Sequence, residues 1–146
     1  MKVIMEKPEI GEDDHIVIKC HNITPELLNL INAIKSHDNM LVAYKGNEIH
    51  RTNPSDIFFI ETVDNKTFLY CKDDVYESKQ RLYELEEALA SSDFMRISKS
   101  TIVNLSKVSF FVPALSGRMQ ATLQNNEKVI ISRQYVGDLK KKLGIK

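Results

Sequence analysis

Phe94-Met95-Arg96-Ile97-Ser98-Lys99-Ser100-Thr101-Ile102-Val103-Asn104 sets a short basic, hydroxyl-rich tip between two runs of β-forming residues. Runs that follow one another with no helix between them predict antiparallel strands joined by a loop. Lys99 at such a tip has the reach to donate to guanine O6 or N7, and Ser98, Ser100 and Thr101 offer short hydroxyls suited to phosphate oxygens. The same residues fit a second description, polar side chains that simply end strands at the surface.

Downstream, Val108–Val112, Met119–Leu123 and Val129–Ser132 continue the strand pattern, with turns at Ser116-Gly117-Arg118 and Asn125-Asn126-Glu127. The last run delivers Arg133 and Gln134 to the start of a helix reaching Leu143, with Val136, Leu139 and Leu143 inward and Gly144 placed to end it. Arg suits bidentate guanine recognition, Gln suits adenine, and a helix N-terminus adds N–H groups for phosphate. Lys107 and Arg118 are further phosphate-side candidates. Phe110 and Phe111 are adjacent, so one of them faces outward.

Upstream, Met40–Tyr44, Glu48–Thr52, Ile57–Val63 and Thr67–Lys72 read as strands, with turns at Lys45-Gly46-Asn47 and Asp64-Asn65-Lys66. Leu82, Leu85 and Leu89 predict a helix, capped near Ser78. Ahead of a seam at residues 36–40, His15-Ile16-Val17-Ile18-Lys19 reads as a strand. Thr24-Pro25 then opens a helix carrying Leu27, Leu30, Ile31 and Ile34 as an apolar stripe. The expected architecture is mainly β (α+β), of small antiparallel sheets with short helices at 39–146, preceded by a strand-helix extension at 1–38.

The 146 residues carry no formal net charge, but 1–93 hold 10 Lys+Arg and 18 Asp+Glu, whereas 94–146 hold 10 and 2. A C-terminal third this basic points to a polyanion-binding face, although the Lys140-Lys141-Lys142 run also suits a helix C-terminus. With 42% hydrophobic residues the chain is long enough to fold around its own core. Cys20 and Cys71 lack CxxC spacing and are expected reduced and half within the core. No apolar run approaches the ~20 residues of a membrane span, and Lys2, Glu6 and Lys7 break any secretory segment, so a cytoplasmic location is expected.

Catalysis is the weaker class. The four histidines, His15, His21, His37 and His50, have no metal-ligand spacing, and adjacent Cys20 and His21 would point to opposite faces of a strand. The five glycines are isolated, which excludes phosphate-cradling loops. No cofactor or metal is expected.

Three blocks in order carry a family resemblance: Pro54-Ser55-Asp56-Ile57-Phe58-Phe59-Ile60-Glu61; Leu82-Tyr83-Glu84-Leu85-Glu86 leading into Phe94–Asn104; and Gly117-Arg118 through Val129-Ile130-Ile131-Ser132-Arg133-Gln134-Tyr135. From about Met40 to Leu143 the chain resembles the LytTR family of bacterial DNA-binding domains. The resemblance implies a transcriptional regulator that inserts loops, not a recognition helix, into successive major grooves of duplex DNA. Lys99 falls on the family's second base-reading position, Arg133 on its third, and the Asn65-Lys66-Thr67 hairpin near its first. Thr67 stands where one branch has histidine, Ser98-Lys99-Ser100 where His-Arg-Ser is usual, and Gln134 where many members have arginine. These departures bear on which DNA sequence is preferred. The resemblance also makes Ile57, Phe59, Phe94, Ile97, Ile102 and Val103 core residues, and has Asn104 bonding backbone.

The likeness is to the stand-alone branch, whose members have a short extension in place of a receiver domain and whose genes often neighbour one for a small membrane protein. Regulation is therefore expected through an interaction of the acidic, apolar-striped extension, and a homodimer on paired DNA half-sites. An alternative from another class is a protein-interaction module whose basic C-terminal face binds an acidic partner.

Overall fold

Ile57–Val63 becomes the strand around which the chain is built in the computed structural model, which describes residues 1–37, 40–90 and 92–145. Numbered along the chain, the elements are α1 (Pro25–His37), β1 (Leu41–Lys45), β2 (Glu48–Thr52), β3 (Ile57–Val63), β4 (Lys66–Cys71), β5 (Val75–Ser78), α2 (Leu82–Ala88), β6 (Phe94–Arg96), β7 (Thr101–Asn104), β8 (Val108–Pro113), β9 (Met119–Leu123), β10 (Lys128–Ile131) and α3 (Arg133–Leu143). Seven strands form one sheet in the order β2-β1-β5-β4-β3-β7-β6, and three form a second in the order β10-β9-β8. All pairings are antiparallel, as expected of strands linked by short turns.

The large sheet is apolar on both faces. Cross-strand partners Leu69, Ile60 and Ile102 line up on one face under Leu82, Leu85 and Leu89 of the α2 segment. On the other, Tyr70, Phe59, Val103 and Met95 form a row against Ala121 and Leu123 of β9, Ile131 of β10 and Leu139 of α3. A regular strand cannot place the neighbours Phe58 and Phe59 on the same side. β3 does so because its register with β4 slips from Ile57↔Cys71 to Phe59↔Tyr70, a one-residue bulge at Phe58. The Phe59 and Tyr70 rings stack at 4.3 Å between centroids.

Asn104 fastens β7 to the start of β3: its Nδ2 donates to the Ile57 carbonyl at 2.8 Å, and its Oδ1 accepts from the Ser106 amide and hydroxyl. Ile57, Phe59, Phe94, Ile97, Ile102 and Val103 are all buried, and Phe110 is the outward member of its pair while Phe111 packs inward.

Several expectations are corrected. Residues 15–19 are exposed and form no strand, because a strand exists only against a partner and neither sheet offers one there. Ser78 does not cap α2; it ends β5, a strand too short to read in the sequence, and α2 is entered through Arg81, whose amide donates to the Glu84 carboxylate. Leu143 is exposed in the last turn of α3, and Cys20 is exposed where a half-buried thiol was expected. Both cysteines are free, and burial pushes the Cys71 thiol up to about 11. Thr24 does cap α1, accepting from the Leu27 amide at 3.2 Å; the seam at 36–40 includes residues 38 and 39, outside the described residues. No helix among the described residues is long and apolar enough to cross a membrane.

Replacing Asn104 with alanine strands the Ile57 carbonyl and the Ser106 amide, and urea unfolding is expected to show a loss of about 2–3 kcal/mol.

Candidate nucleic-acid interface

The β6–β7 tip is rigid by construction. Arg96 at the end of β6 donates from Nε to the Ser98 carbonyl and from Nη2 to the Lys99 carbonyl, both at 2.7 Å, while Nη1 pairs with Glu86 of α2 at 3.2 Å. The Ile97 amide donates to the Thr101 carbonyl, and the Ser100 amide to the Ser98 hydroxyl. With its carbonyl held from behind, Lys99 stands exposed at the apex.

Two backbone hydrogen bonds join this tip to its neighbours. The Thr62 amide of β3 donates to the Ser100 carbonyl, and the Ser132 amide, at the entrance to α3, donates to the Ile97 carbonyl, both at 2.8 Å. The β3–β4 turn, the β6–β7 tip and the start of α3 therefore share one end of the molecule. The β8–β9 turn completes it: a Cβ on Gly117 would lie 2.8 Å from Arg133 Cδ, so the arginine stem rests on bare glycine backbone. Gly117 also has φ +75°, which a side chain would strain.

Arg133 and Gln134 are exposed in the first turn of α3; the Ser132 side chain makes no cap, and the Tyr135 amide donates to the Ser132 carbonyl, so the amides of Arg133 and Gln134 are the ones left for an anion. At the far end of α3, Lys142 donates to the Phe94 carbonyl and Gly144 closes the helix in the left-handed region, so part of the lysine run serves the fold. The side-chain contacts to carboxylates among the described residues involve Lys45, His50 and Arg96; Lys66, Lys99, Arg118 and Arg133 have no carboxylate partner in them. Ser98, Ser100 and Thr101 lie on the tip, and Arg118, whose Nε donates to the Leu115 carbonyl, lies on the adjoining turn.

Two candidates are not presented at this surface, one through burial and one through position. Thr67 is 5% exposed, with its hydroxyl 3.3 Å from that of Thr62, because the second residue of β4 points into the sheet packing while Lys66 stays outside. Lys107 lies beyond the opposite end of β7, its ammonium over the Phe58 ring and its carbonyl bonded to the Gln124 amide. It borders a cleft with His50, Arg51, Lys72 and Asp74, remote from the tip. There Asp74 and Lys45 form an ion pair that lowers the carboxyl pKa and raises that of the amine. Arg96 is the residue that sequence reasoning missed. An arginine two positions before a Ser-Lys-Ser tip was the available signal.

Replacing Arg96 with alanine frees two tip carbonyls, and amide exchange at Ser98–Ser100 is expected to accelerate well ahead of exchange at Ile60 or Ile102, as read by NMR.

A LytTr DNA-binding domain profile matches residues 47–144. A relative from Staphylococcus aureus (strain NCTC 8325 / PS 47), described as an uncharacterized HTH-type transcriptional regulator, is 30% identical over 135 residues, 91% of each chain. Its counterpart from strain MRSA252 is 29% identical over the same span. Among solved structures, a Bacillus cereus LytTr DNA-binding domain superposes with TM-score 0.70 at 23% identity, covering 74% of this chain and 99% of that one. The three α-helices among the described residues are separated by strands, so none forms a helix–turn–helix pair with another. Over at least residues 47–144 the chain belongs to the LytTR family of DNA-binding domains.

Proposed function

We propose that the chain is a transcriptional regulator that reads duplex DNA sequence through the loops gathered at one end of residues 39–146, with residues 1–38 as an extension through which its activity is governed. The observation that carries the reading is the Ser132–Ile97 backbone bond, which sets the Lys99 apex beside the start of α3. Lys99 and Arg133 are the base-reading side chains, each able to donate to guanine O6 and N7 in a major groove. Gln134 and Lys66 flank them as further base contacts. Ser98, Ser100, Thr101, Arg118 and the Arg133 and Gln134 amides at the start of α3 take phosphate oxygens and fix the register on the duplex.

Thr67 and Lys107 have no part in this reading, the first through burial and the second through its place at the other end of β7. The unpaired cations also explain how a chain with no net charge approaches a polyanion: the cations collect at one face while the carboxylates sit mostly in the first two-thirds of the sequence.

Anisotropy of labelled promoter duplexes against scrambled duplexes tests this. Arg133→Ala and Lys99→Ala are each expected to weaken the preferred duplex by about 1–3 kcal/mol and to narrow its advantage over the scrambled one. Lys107→Ala should leave both affinities unchanged. Gly117→Ala should behave like Arg133→Ala, because the added methyl displaces the arginine stem. Undiminished selection in Arg133→Ala and Lys99→Ala would overturn the assignment.

A further inference from the structure

The β8–β9 turn holds a strained backbone and, within it, an apolar side chain that the fold does not use. Ser116 has φ 62° and Gly117 has φ 75°, two left-handed residues in succession. The other non-glycine residues with positive φ among the described residues are Asp64, Asn65 and Asn126, types that tolerate this region; serine is not one of them. Hydrogen bonds impose the conformation. The Ala114 amide donates to the Arg118 carbonyl at 2.9 Å, and the Arg118 amide and Nε both donate to the Leu115 carbonyl, at 3.4 and 3.1 Å. Backbone held in a sparsely populated region by its surroundings is characteristic of functional sites.

Leu115, in this turn, is 81% exposed, more than any other large apolar residue among the described residues from 41 to 145, and it belongs to neither core. A single exposed leucine on an ordinary surface calls for no explanation. This one sits at the end of the molecule that carries Lys99 and Arg133. The turn packs against α3, and Gly117 supports the Arg133 stem. Leu115 precedes Gly117 by two residues, so its Cα lies within about 7 Å of that support, a span of about two base-pair steps.

We infer that Leu115 is an apolar base contact that recognises the 5-methyl group of a thymine in the major groove, within about three base pairs of the base read by Arg133. The chemistry names the ligand. Base edges in the major groove present donors and acceptors, with one apolar group among them, the thymine methyl. Lys99, Lys66, Arg133 and Gln134 meet the polar groups. A leucine can offer them nothing and would strip them of water without replacing it, so it gains only against the methyl. Because the turn is already fixed by hydrogen bonds, little conformational freedom is lost when the contact forms. The inference deepens the function proposed above and rests on it.

Anisotropy of the preferred promoter duplex, with its thymines replaced one at a time by uracil, is the test. Uracil keeps every hydrogen-bonding group and lacks only the methyl. At one thymine within three base pairs of the base whose preference disappears in Arg133→Ala, the replacement should weaken wild-type binding about fourfold, the worth of one buried methyl-sized group. Leu115→Ala should bind the thymine duplex at least fourfold more weakly and no longer distinguish thymine from uracil there, while Leu115→Met keeps the distinction. Its circular dichroism should match the wild type, since the side chain packs into neither core. A preferred duplex with no thymine in that window, a wild type indifferent to uracil throughout it, or Leu115→Ala with undiminished thymine preference would each overturn the inference, while the losses in Arg133→Ala and Lys99→Ala left the DNA reading standing. A wild type that selects no duplex at all would overturn the reading and this inference together.

Discussion

β3 must bury both of its faces at once, and the one-residue bulge at Phe58 is how it does so. Without the extra residue, Ile57 and Ile60 would fall on opposite sides, and either α2 or the three-stranded sheet would lose a contact. With it, Ile57 and Ile60 both face α2, while Phe58 and Phe59 both face β9 and α3. The two layers on either side of the large sheet are held in place by this single strand. Removing a buried side chain of that size typically costs ~2–5 kcal/mol, so the geometry is strongly enforced.

That enforcement reaches the interface through backbone bonds. β3 ends at the turn beside the β6–β7 tip and holds it through Thr62; the tip in turn holds the entrance to α3 through Ser132. The candidate interface is therefore made of loops whose positions are fixed by strands, which lowers the ordering cost of the base contacts proposed above. Basic residues near one another divide the work. Arg96 spends its guanidinium on two carbonyls and a glutamate, and by doing so leaves Lys99 projecting into solvent.

The strands around the tip were legible because each alternates or runs apolar between turn residues, and most are bounded within a residue or two of where the pattern put them. β5 was not, since four residues after an Asp-Asp pair carry too little pattern. The strand expected at residues 15–19 shows the reverse failure: β propensity describes what a segment would do given an edge and cannot supply the edge. Thr67 was drawn in by its place in the hairpin that the family resemblance marks, and Lys107 by its charge. Burial removed the first, and the direction of β7 removed the second.

By itself the sequence determined a mainly β chain, a basic C-terminal third, and the residues at two loop apices, because alternation, turn chemistry and charge are local properties of the chain. Only the tertiary structure decided which cations share a face and which are consumed by the fold. Those outcomes depend on contacts between residues far apart in sequence, Ser132 with Ile97, Gly117 with Arg133, Asn104 with Ile57, which no local pattern encodes.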